Sequence, residues 1–464
     1  MIMVLYAVGA ALCIGIGLFF SRRSQPFGYM NPICLFCFVC SVVFFLVPIW
    51  LGVENEYLFS MEGYSNNAWI INWAVNVIFM LTTVATYQLT RGTQFYKHYS
   101  TRLVFWPEWN LGRINIKAIS FSALIPASLV IIILALIFRD LPYFELLSNR
   151  TKLFSGYGYL FLPLYWFGIF LLIYFVYIFV KYDGSHFILR LFLVMLPVFL
   201  FNTLLWVYLG SRSKSLISLF YILLIYFILE AKKLGQFRRL LIILIIAMPL
   251  ICIGIISQQS RQIMAAGQEV VLSDLDTSIS SKKLLTGVTF FGQTTEYNLW
   301  LIDNVGFDDA LAGKTFLALI TGFVPRGLWP GKPTGAGPHL RNLIYPGSYD
   351  LEEGAYLTSY SPGILAESLM NFLWLGAFVG GIIFGILLTI LSFILRYVND
   401  PCTFVIWFVC AEHVFGMLTG EVFGNLSGLI AKVSFFAFLY IMRILGDIVR
   451  TVCRVSPANS SDIS

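Results

Sequence analysis

Charged side chains are scarce in this chain of 464 residues. Asp, Glu, Lys and Arg make up 12% of it, whereas hydrophobic residues make up 59%. A soluble domain usually has about 25% charged residues. The apolar residues here form runs of about 20, the length of a membrane-spanning helix, and the short alternating segments of a membrane barrel are missing. The sequence therefore predicts an all-α polytopic membrane protein with no separable soluble domain.

Cysteine is absent from the polar stretch 258–363, so no disulfide framework is predicted there. Cys34, Cys37 and Cys40 have a spacing seen in metal sites, but no His or carboxylate lies near them in the sequence, and we interpret them as apolar packing. The polar stretch also contains a single histidine, His339, and has no nucleotide-binding glycine loop. We therefore predict no metal and no cofactor.

Eleven apolar runs predict about eleven transmembrane helices, at residues 1–20, 31–51, 69–89, 119–138, 159–180, 188–209, 215–229, 239–257, 364–395, 402–419 and 426–446. The first run lacks a basic start and a small-residue cleavage site, so it is not interpreted as a cleaved signal peptide. The chain is thereby divided into a membrane bundle at 1–257, a large polar loop at 258–363, and a closing segment at 364–464 with the last three spans.

The distribution of Lys and Arg predicts the orientation of the spans. The segments assigned to the cytoplasmic side carry 17 basic residues, and the short loops assigned to the other side carry 5. Positive charge is retained on the cytoplasmic side of a membrane. The N-terminus is therefore predicted outside, the C-terminus inside and the loop 258–363 outside. The net charge of +6 follows from this pattern and does not indicate nucleic-acid binding.

The polar loop is the predicted place of the chemistry. Loops of this length are uncommon unless they are functional or disordered. Disorder is disfavoured because the loop is rich in aromatic residues, among them Trp300, Trp329, Tyr345, Tyr349, Tyr356 and Tyr360. We expect a partly helical extracytoplasmic loop.

Two basic motifs are predicted at the outer face. The turn Gly210–Lys214 (GSRSK) offers Arg212, whose planar fork of donors suits a phosphate, and Lys214 as a point charge. The alternative is a pair of side chains that snorkel to lipid headgroups. The segment Pro325–Pro333 (PRGLWPGKP) holds Arg326 and Lys332 between prolines, with Trp329 as a sugar-stacking face. Its alternative is a structured loop whose cations meet headgroups.

A third motif, Ser361–Phe372, begins a predicted span. Pro362 suits a helix start, and Glu367 and Asn371 share one helical face. A carboxylate inside a span is expected to pair, to face a wet cavity or to act as a base. Structural pairing and a substrate-facing role are both left open.

Five further residues are weighed for proton handling or pairing. Glu412 and Lys432 lie at similar depths in the last two spans, about 10 Å from the outer end, and an ion pair between antiparallel helices is predicted. His413 and Glu421 are weaker candidates for proton transfer. His339 is the histidine of the outer loop, and it is either solvated or a general base.

At these motifs the chain resembles the O-antigen polymerase (Wzy-type) family of bacterial oligosaccharide repeat-unit polymerases. The shared features are the many spans, the Gly-Ser-Arg turn at 210–212, the large late loop, P-R-x-x-W-P-x-K-P at 325–333, and S-P-G-x-x-x-E-x-x-x-N-F at 361–372 followed by Leu375 and Gly376. The proline-framed element is the most specific part of the resemblance.

The resemblance implies a metal-independent membrane glycosyltransferase with a GT-C-like architecture in the bacterial plasma (inner) membrane. Its substrates would be undecaprenyl-diphosphate-linked oligosaccharides, and a chain-length regulator and a flippase would be its partners beside the bilayer. The resemblance implies that Arg212 and Arg326 face the diphosphate, and Lys332 and Glu367 fall on matching motif positions. Together with the motifs above, the candidate catalytic residues are Arg326, Glu367 and His339, and the candidate substrate-binding residues are Arg212, Lys214, Trp329, Lys332, Arg341 and Asn371.

Two other functions stay open from the sequence. A glycan ligase would have a similar topology and a cationic outer loop. A multi-span transporter or flippase is disfavoured because no internal repeat is visible and the polar motifs lie on one side.

Overall fold

The computed structural model describes residues 1–23, 31–54, 63–93, 115–139, 158–181, 281–321, 331–348, 360–398 and 400–455, with the single positions 60, 201, 202, 205, 324 and 329. All regular elements in these ranges are helical, in agreement with the predicted all-α class. The predicted spans 215–229 and 239–257 and nearly all of 188–209 lie outside the described residues. So do Arg212, Lys214 and Arg326.

The N-terminal half contains six described helices: α1 (Ile2–Arg23), α2 (Pro32–Cys40), α3 (Val47–Glu54), α4 (Asn66–Gly92), α5 (Ile116–Phe138) and α6 (Leu162–Lys181). A π-helical stretch, Ser41–Leu46, joins α2 to α3. Side chains cap several starts: Asn31 accepts a hydrogen bond from Ile33 N, and Ser65 accepts one from Ala68 N.

The C-terminal half contains seven described helices: α7 (Ser281–Asn304), α8 (Lys314–Thr321), α9 (Ala336–Ile344), α10 (Gly363–Phe372), α11 (Gly376–Arg396), α12 (Pro401–Gly416) and α13 (Val422–Val455). The first three lie in the predicted outer loop, so that segment is partly helical as expected.

Seven stretches of the described chain are long and apolar enough to cross a membrane: Ile2–Arg22, Pro32–Val53, Asn66–Gly92, Ile116–Ile137, Leu162–Lys181, Gly363–Arg396 and Val422–Leu445. These stretches match seven of the predicted runs. The run predicted at 402–419 is the shorter apolar helix Pro401–Gly416.

The relative directions of the described spans agree with the predicted alternation. Trp73 Nε1 donates to Leu5 O over 2.8 Å, so the starts of α1 and α4 lie at the same end of the bundle. The end of α7 lies there too, because Ser65 Oγ, just before α4, donates to Asp303 Oδ1 over 2.9 Å. The polar helices therefore pack at the end of the bundle that holds the chain's N-terminus.

Helices α4 and α11 run parallel and pack closely together. A Cβ added at Gly381 would lie 2.8 Å from Thr82 Cβ, and one at Gly385 would lie 2.7 Å from Thr86 Cβ. Farther along, Thr90 Oγ1 and Thr389 Oγ1 share a hydrogen bond of 2.6 Å. Small residues that let two backbones approach are typical of helix contacts in membranes.

The run predicted as one span at 364–395 is confirmed as the apolar stretch Gly363–Arg396, but it is divided into two helices. Leu373 adopts a positive φ of 54° between α10 and α11. Helix α10 packs back on α11, because Cβ atoms at Gly376 and Gly380 would meet Ser368. Helix α11 alone is about 31 Å long. Helix α10 is a short buried helix, and Glu367 lies among protein side chains rather than in a simple span.

Candidate functional site

Helix α10 is held at its first residues by the turn that links α12 to α13. Gly363 has a φ of +75°, and a Cβ there would lie 2.5 Å from Leu418 O. Ile364 N donates to Met417 O over 2.6 Å. Both the positive φ and the close carbonyl require glycine at position 363. The motif S-P-G at 361–363 thus places the start of α10 against the start of α13.

Glu367 is fully buried, and both of its carboxylate oxygens accept hydrogen bonds. Thr315 Oγ1 donates to Oε1 over 2.9 Å, and the backbone N of Val422 donates to Oε2 over 3.2 Å. Val422 is the first residue of α13, so Glu367 caps that helix with a negative charge. Within the described residues no cation forms an ion pair with Glu367.

Asn371 completes the same network from the next turn of α10. Its Nδ2 donates to Thr315 Oγ1 and to Glu367 O, each over 2.7 Å, and its Oδ1 accepts from Gly313 N over 2.9 Å. The shared helical face predicted for Glu367 and Asn371 is confirmed. The geometry supports a structural role for both residues, since their polar atoms bind protein groups.

Glu421 performs the corresponding task for α9. Its Oε1 accepts from Gly337 N over 3.2 Å, and Ala336 N also donates to the carboxylate. A Cβ at Gly335 would collide with this oxygen, so a larger residue there would displace the Glu421 carboxylate. Burial raises the pKa of Glu421, and the two backbone donors oppose that effect. Helix α9 is therefore anchored on the α12–α13 turn by one carboxylate.

His339 lies on α9 one turn beyond that anchor. It is half-buried, and its Nε2 is 3.2 Å from Thr334 Oγ1. Burial and the nearby charge of Lys314 lower the pKa of His339. A neutral imidazole at pH 7 is able to accept a proton, as a general base must.

The neighbouring predicted residues lie on or just before the same helix. Arg341 is half-buried on α9. Lys332 donates from Nζ to Val324 O over 2.7 Å, which closes the turn that precedes α9. Trp329 is 43% exposed, so its ring is open to a partner. The structure thus brings His339, Arg341, Lys332 and Trp329 into one short segment.

The predicted ion pair in the last two membrane helices is confirmed. Lys432 Nζ lies 2.5 Å and 2.6 Å from the two oxygens of Glu412. His413 Nε2 lies 3.8 Å from Glu412 Oε1, and the imidazole also bonds Asn425. These groups tie α12 to α13 within the membrane, so we interpret them as structural.

Sequence reasoning missed the anchoring roles of Thr315 and Glu421. Both act on residues more than 50 positions away, and no local pattern marks such a pair. The close approach of α4 and α11 did have a signal, because Gly381 to Gly385 is a G-x-x-x-G motif. The described residues contain no group of three or more His, Cys, Asp or Glu that could hold a metal ion.

Comparison of the chain with protein-family models, curated proteins and solved structures found no match. The functional assignment therefore depends on the sequence motifs and on the geometry above.

Proposed function

We propose that this protein polymerises oligosaccharide repeat units linked to undecaprenyl diphosphate at the outer face of the bacterial plasma membrane. The growing glycan is transferred from its lipid diphosphate onto a new lipid-linked repeat. The observation that carries the proposal is the anchoring of α9 by Glu421. It makes the basic, aromatic segment 329–345 a fixed part of the bundle end rather than a loose loop. The motif resemblance supports the same function.

The proposed chemistry needs positive charge where the diphosphate leaves. Fixed donors at a developing negative charge contribute about 3–4 kcal/mol each when they are removed singly. Arg326 and Arg212 fill this role in the proposal, with Lys332 and Lys214 beside them. The fork of an Arg suits a diphosphate better than the point charge of a Lys.

The acceptor hydroxyl must lose a proton to a base. Between the two candidates, His339 is favoured over Glu367. Glu367 is fully buried and uses both oxygens for Thr315 and Val422. His339 is partly exposed and has a lowered pKa, so it is neutral at pH 7. Direct displacement would invert the anomeric carbon.

The test is extension of purified lipid-linked repeat units by the full-length protein in nanodiscs, with products separated on a gel. We expect a ladder of polymer in the presence of chelator. Arg326→Ala and Arg212→Ala should abolish the ladder while the melting temperature is unchanged. Arg139→Ala, in another predicted outer loop, is the matched control and should keep the ladder.

Three results would contradict the proposal. A deletion strain whose surface glycan keeps its length distribution would exclude a polymerase. Accumulation of long polymer on undecaprenyl diphosphate would instead indicate a ligase. Extension that stops in chelator and returns with Mg²⁺ would contradict the metal-independent mechanism.

A further inference from the structure

An aromatic and charged cluster lies at the end of the bundle, outside the residues used above for catalysis. It is built from the last turns of α7, the end of α9, the residue before the α4 cap and Tyr360, which lies three residues before α10. Its members are Tyr64, Glu296, Tyr297, Arg341, Tyr345 and Tyr360.

Contacts connect these residues across long sequence distances. Tyr64 Oη donates to Glu296 Oε1 over 3.3 Å. The rings of Tyr297 and Tyr360 pack with centroids 5.5 Å apart at an angle of 40°. The backbone N of Ser361 donates to Tyr297 Oη. Three separate segments are therefore fixed around one buried carboxylate.

Arg341 and Tyr345 complete the outer side of the cluster. Tyr360 lies within electrostatic reach of Arg341, Tyr345 and Glu296, and burial raises its pKa. Tyr345 is 48% exposed, whereas Glu296 and Tyr297 are each 1% exposed. The cluster thus has a rigid, buried floor and an open aromatic rim.

A simple aromatic belt at the membrane interface does not account for this arrangement. Belt tyrosines place their rings in the headgroup region as anchors. Here Tyr297 is buried in protein, and a buried carboxylate accepts from Tyr64. Burial of a charge is unfavourable unless it is paired and hydrogen-bonded, so Glu296 marks a built polar site.

The chemistry of the cluster fits a sugar ring. A pyranose has an apolar face of C–H bonds, which carry slight positive charge and stack on the negative face of an aromatic ring. Its hydroxyls both donate and accept, so a carboxylate and an Arg or phenol side by side satisfy them. Ligand sites commonly combine aromatic walls with a few placed polar groups.

We propose that this cluster is a saccharide-binding subsite that holds a sugar of the glycan away from the diphosphate, with Tyr345 as its stacking wall, Arg341 as its polar partner and the buried Glu296 as part of the floor that holds them in place. The proposal rests on the function proposed above, which supplies the glycan. The new element is that this part of the surface binds a saccharide.

The experiment measures binding of one repeat unit of the cell's own surface glycan, released from lipid and phosphate, to the full-length protein in nanodiscs by calorimetry. Wild type should bind it. Tyr345→Ala should weaken binding about tenfold, since stacking and a hydrogen bond are lost together. Tyr345→Phe should keep most of the affinity. Phe307→Ala is the matched control, because Phe307 is 80% exposed in the same polar segment.

Glu296→Gln should also weaken binding, but the change is expected to destabilise the protein because Glu296 is buried. The test therefore depends on variants of the exposed Tyr345. Equal affinity of wild type and Tyr345→Ala would overturn the subsite. A second test replaces Tyr345 with the photoreactive residue benzoylphenylalanine. Crosslinks to lipid and never to the oligosaccharide would also overturn the subsite, because that result is expected of an aromatic belt at the membrane interface.

Turnover separates this proposal from the polymerase proposal. In a working polymerase, Tyr345→Ala should raise the acceptor KM about tenfold with little change in kcat. Polymerisation with an unchanged KM would contradict the subsite alone. Oligosaccharide binding that depends on Tyr345, in a protein that makes no polymer, would support the subsite and contradict the polymerase.

Discussion

The α4–α11 seam and the polar end of the bundle are held together by opposite means. In the seam, Gly381 and Gly385 remove side chains so that two backbones touch Thr82 and Thr86. At the polar end, Glu367 and Glu421 each reach from one segment to the backbone N–H groups that start another helix. The α4–α11 contact depends on side-chain volume, whereas the contacts at the polar end depend on the charge and direction of hydrogen-bonding groups. Substitutions should therefore destabilise the two regions in different ways.

The largest effect is expected in the seam. Gly385→Val places a branched side chain where a Cβ alone would lie 2.7 Å from Thr86 Cβ and 2.8 Å from Thr83 O. Backbone cannot yield as a side chain does, so we expect a loss of about 3 kcal/mol of folding free energy or failure to express. Thermal unfolding in detergent measures it.

The control for this change is Gly168→Val in α6, where an added Cβ meets nothing within 4 Å. Equal melting temperatures of the two variants would show that the seam is not the tight contact described here.

The next largest effect is expected for Glu367→Gln. The amide brings a donor against either the Val422 N–H or the Thr315 hydroxyl, and the charge on the α13 start is lost. Hydrogen bonds to charged groups contribute about 1.5–3 kcal/mol, so the melting temperature and substrate binding should fall together. A double-mutant cycle with Thr315→Val measures the coupling. A normal melting temperature with lost turnover would instead restore Glu367 as the base.

A smaller loss of stability, about 1 kcal/mol, is expected for Glu421→Gln. The amide oxygen still accepts from Gly337, but the charge at the α9 start is gone. Because α9 carries His339 and Arg341, turnover should fall more than stability does. Protease sensitivity of the segment around α9 checks its loosening. Full turnover would show that α9 needs no anchor.

The smallest effect is a pH dependence due to His339. Its folded-state pKa lies below the ordinary value of 6.5, so the unfolded chain binds more protons there. The free energy of unfolding should therefore rise with pH up to about 6.5 and then level off. His339→Gln should flatten this rise and abolish turnover. An unchanged slope in His339→Gln would assign the titration to another group.

The two regions also differ in how far the sequence predicts them. Hydropathy predicts the spans, and depth along antiparallel helices predicts the Glu412–Lys432 pair, because both follow from regular helical geometry. The break at Leu373 is not predicted, since a non-glycine residue with positive φ leaves no signal in the sequence. The same holds for Thr315 and Glu421, because Thr315 binds side chains more than 50 positions away and Glu421 binds backbone atoms that any residue would supply. Such contacts are visible only in the folded structure.

The contacts of α10 with the α12–α13 turn determine when this part of the molecule can fold during synthesis. Ile364 binds Met417 O and Glu367 binds Val422 N, yet these partners emerge from the ribosome about 50 residues later. Until α12 and the start of α13 have been made, the N–H of Ile364 and the carboxylate of Glu367 lack these bonds. The α12–α13 hairpin therefore completes the polar end of the bundle, and a nascent chain stopped before residue 417 lacks α13 and has no assembled site.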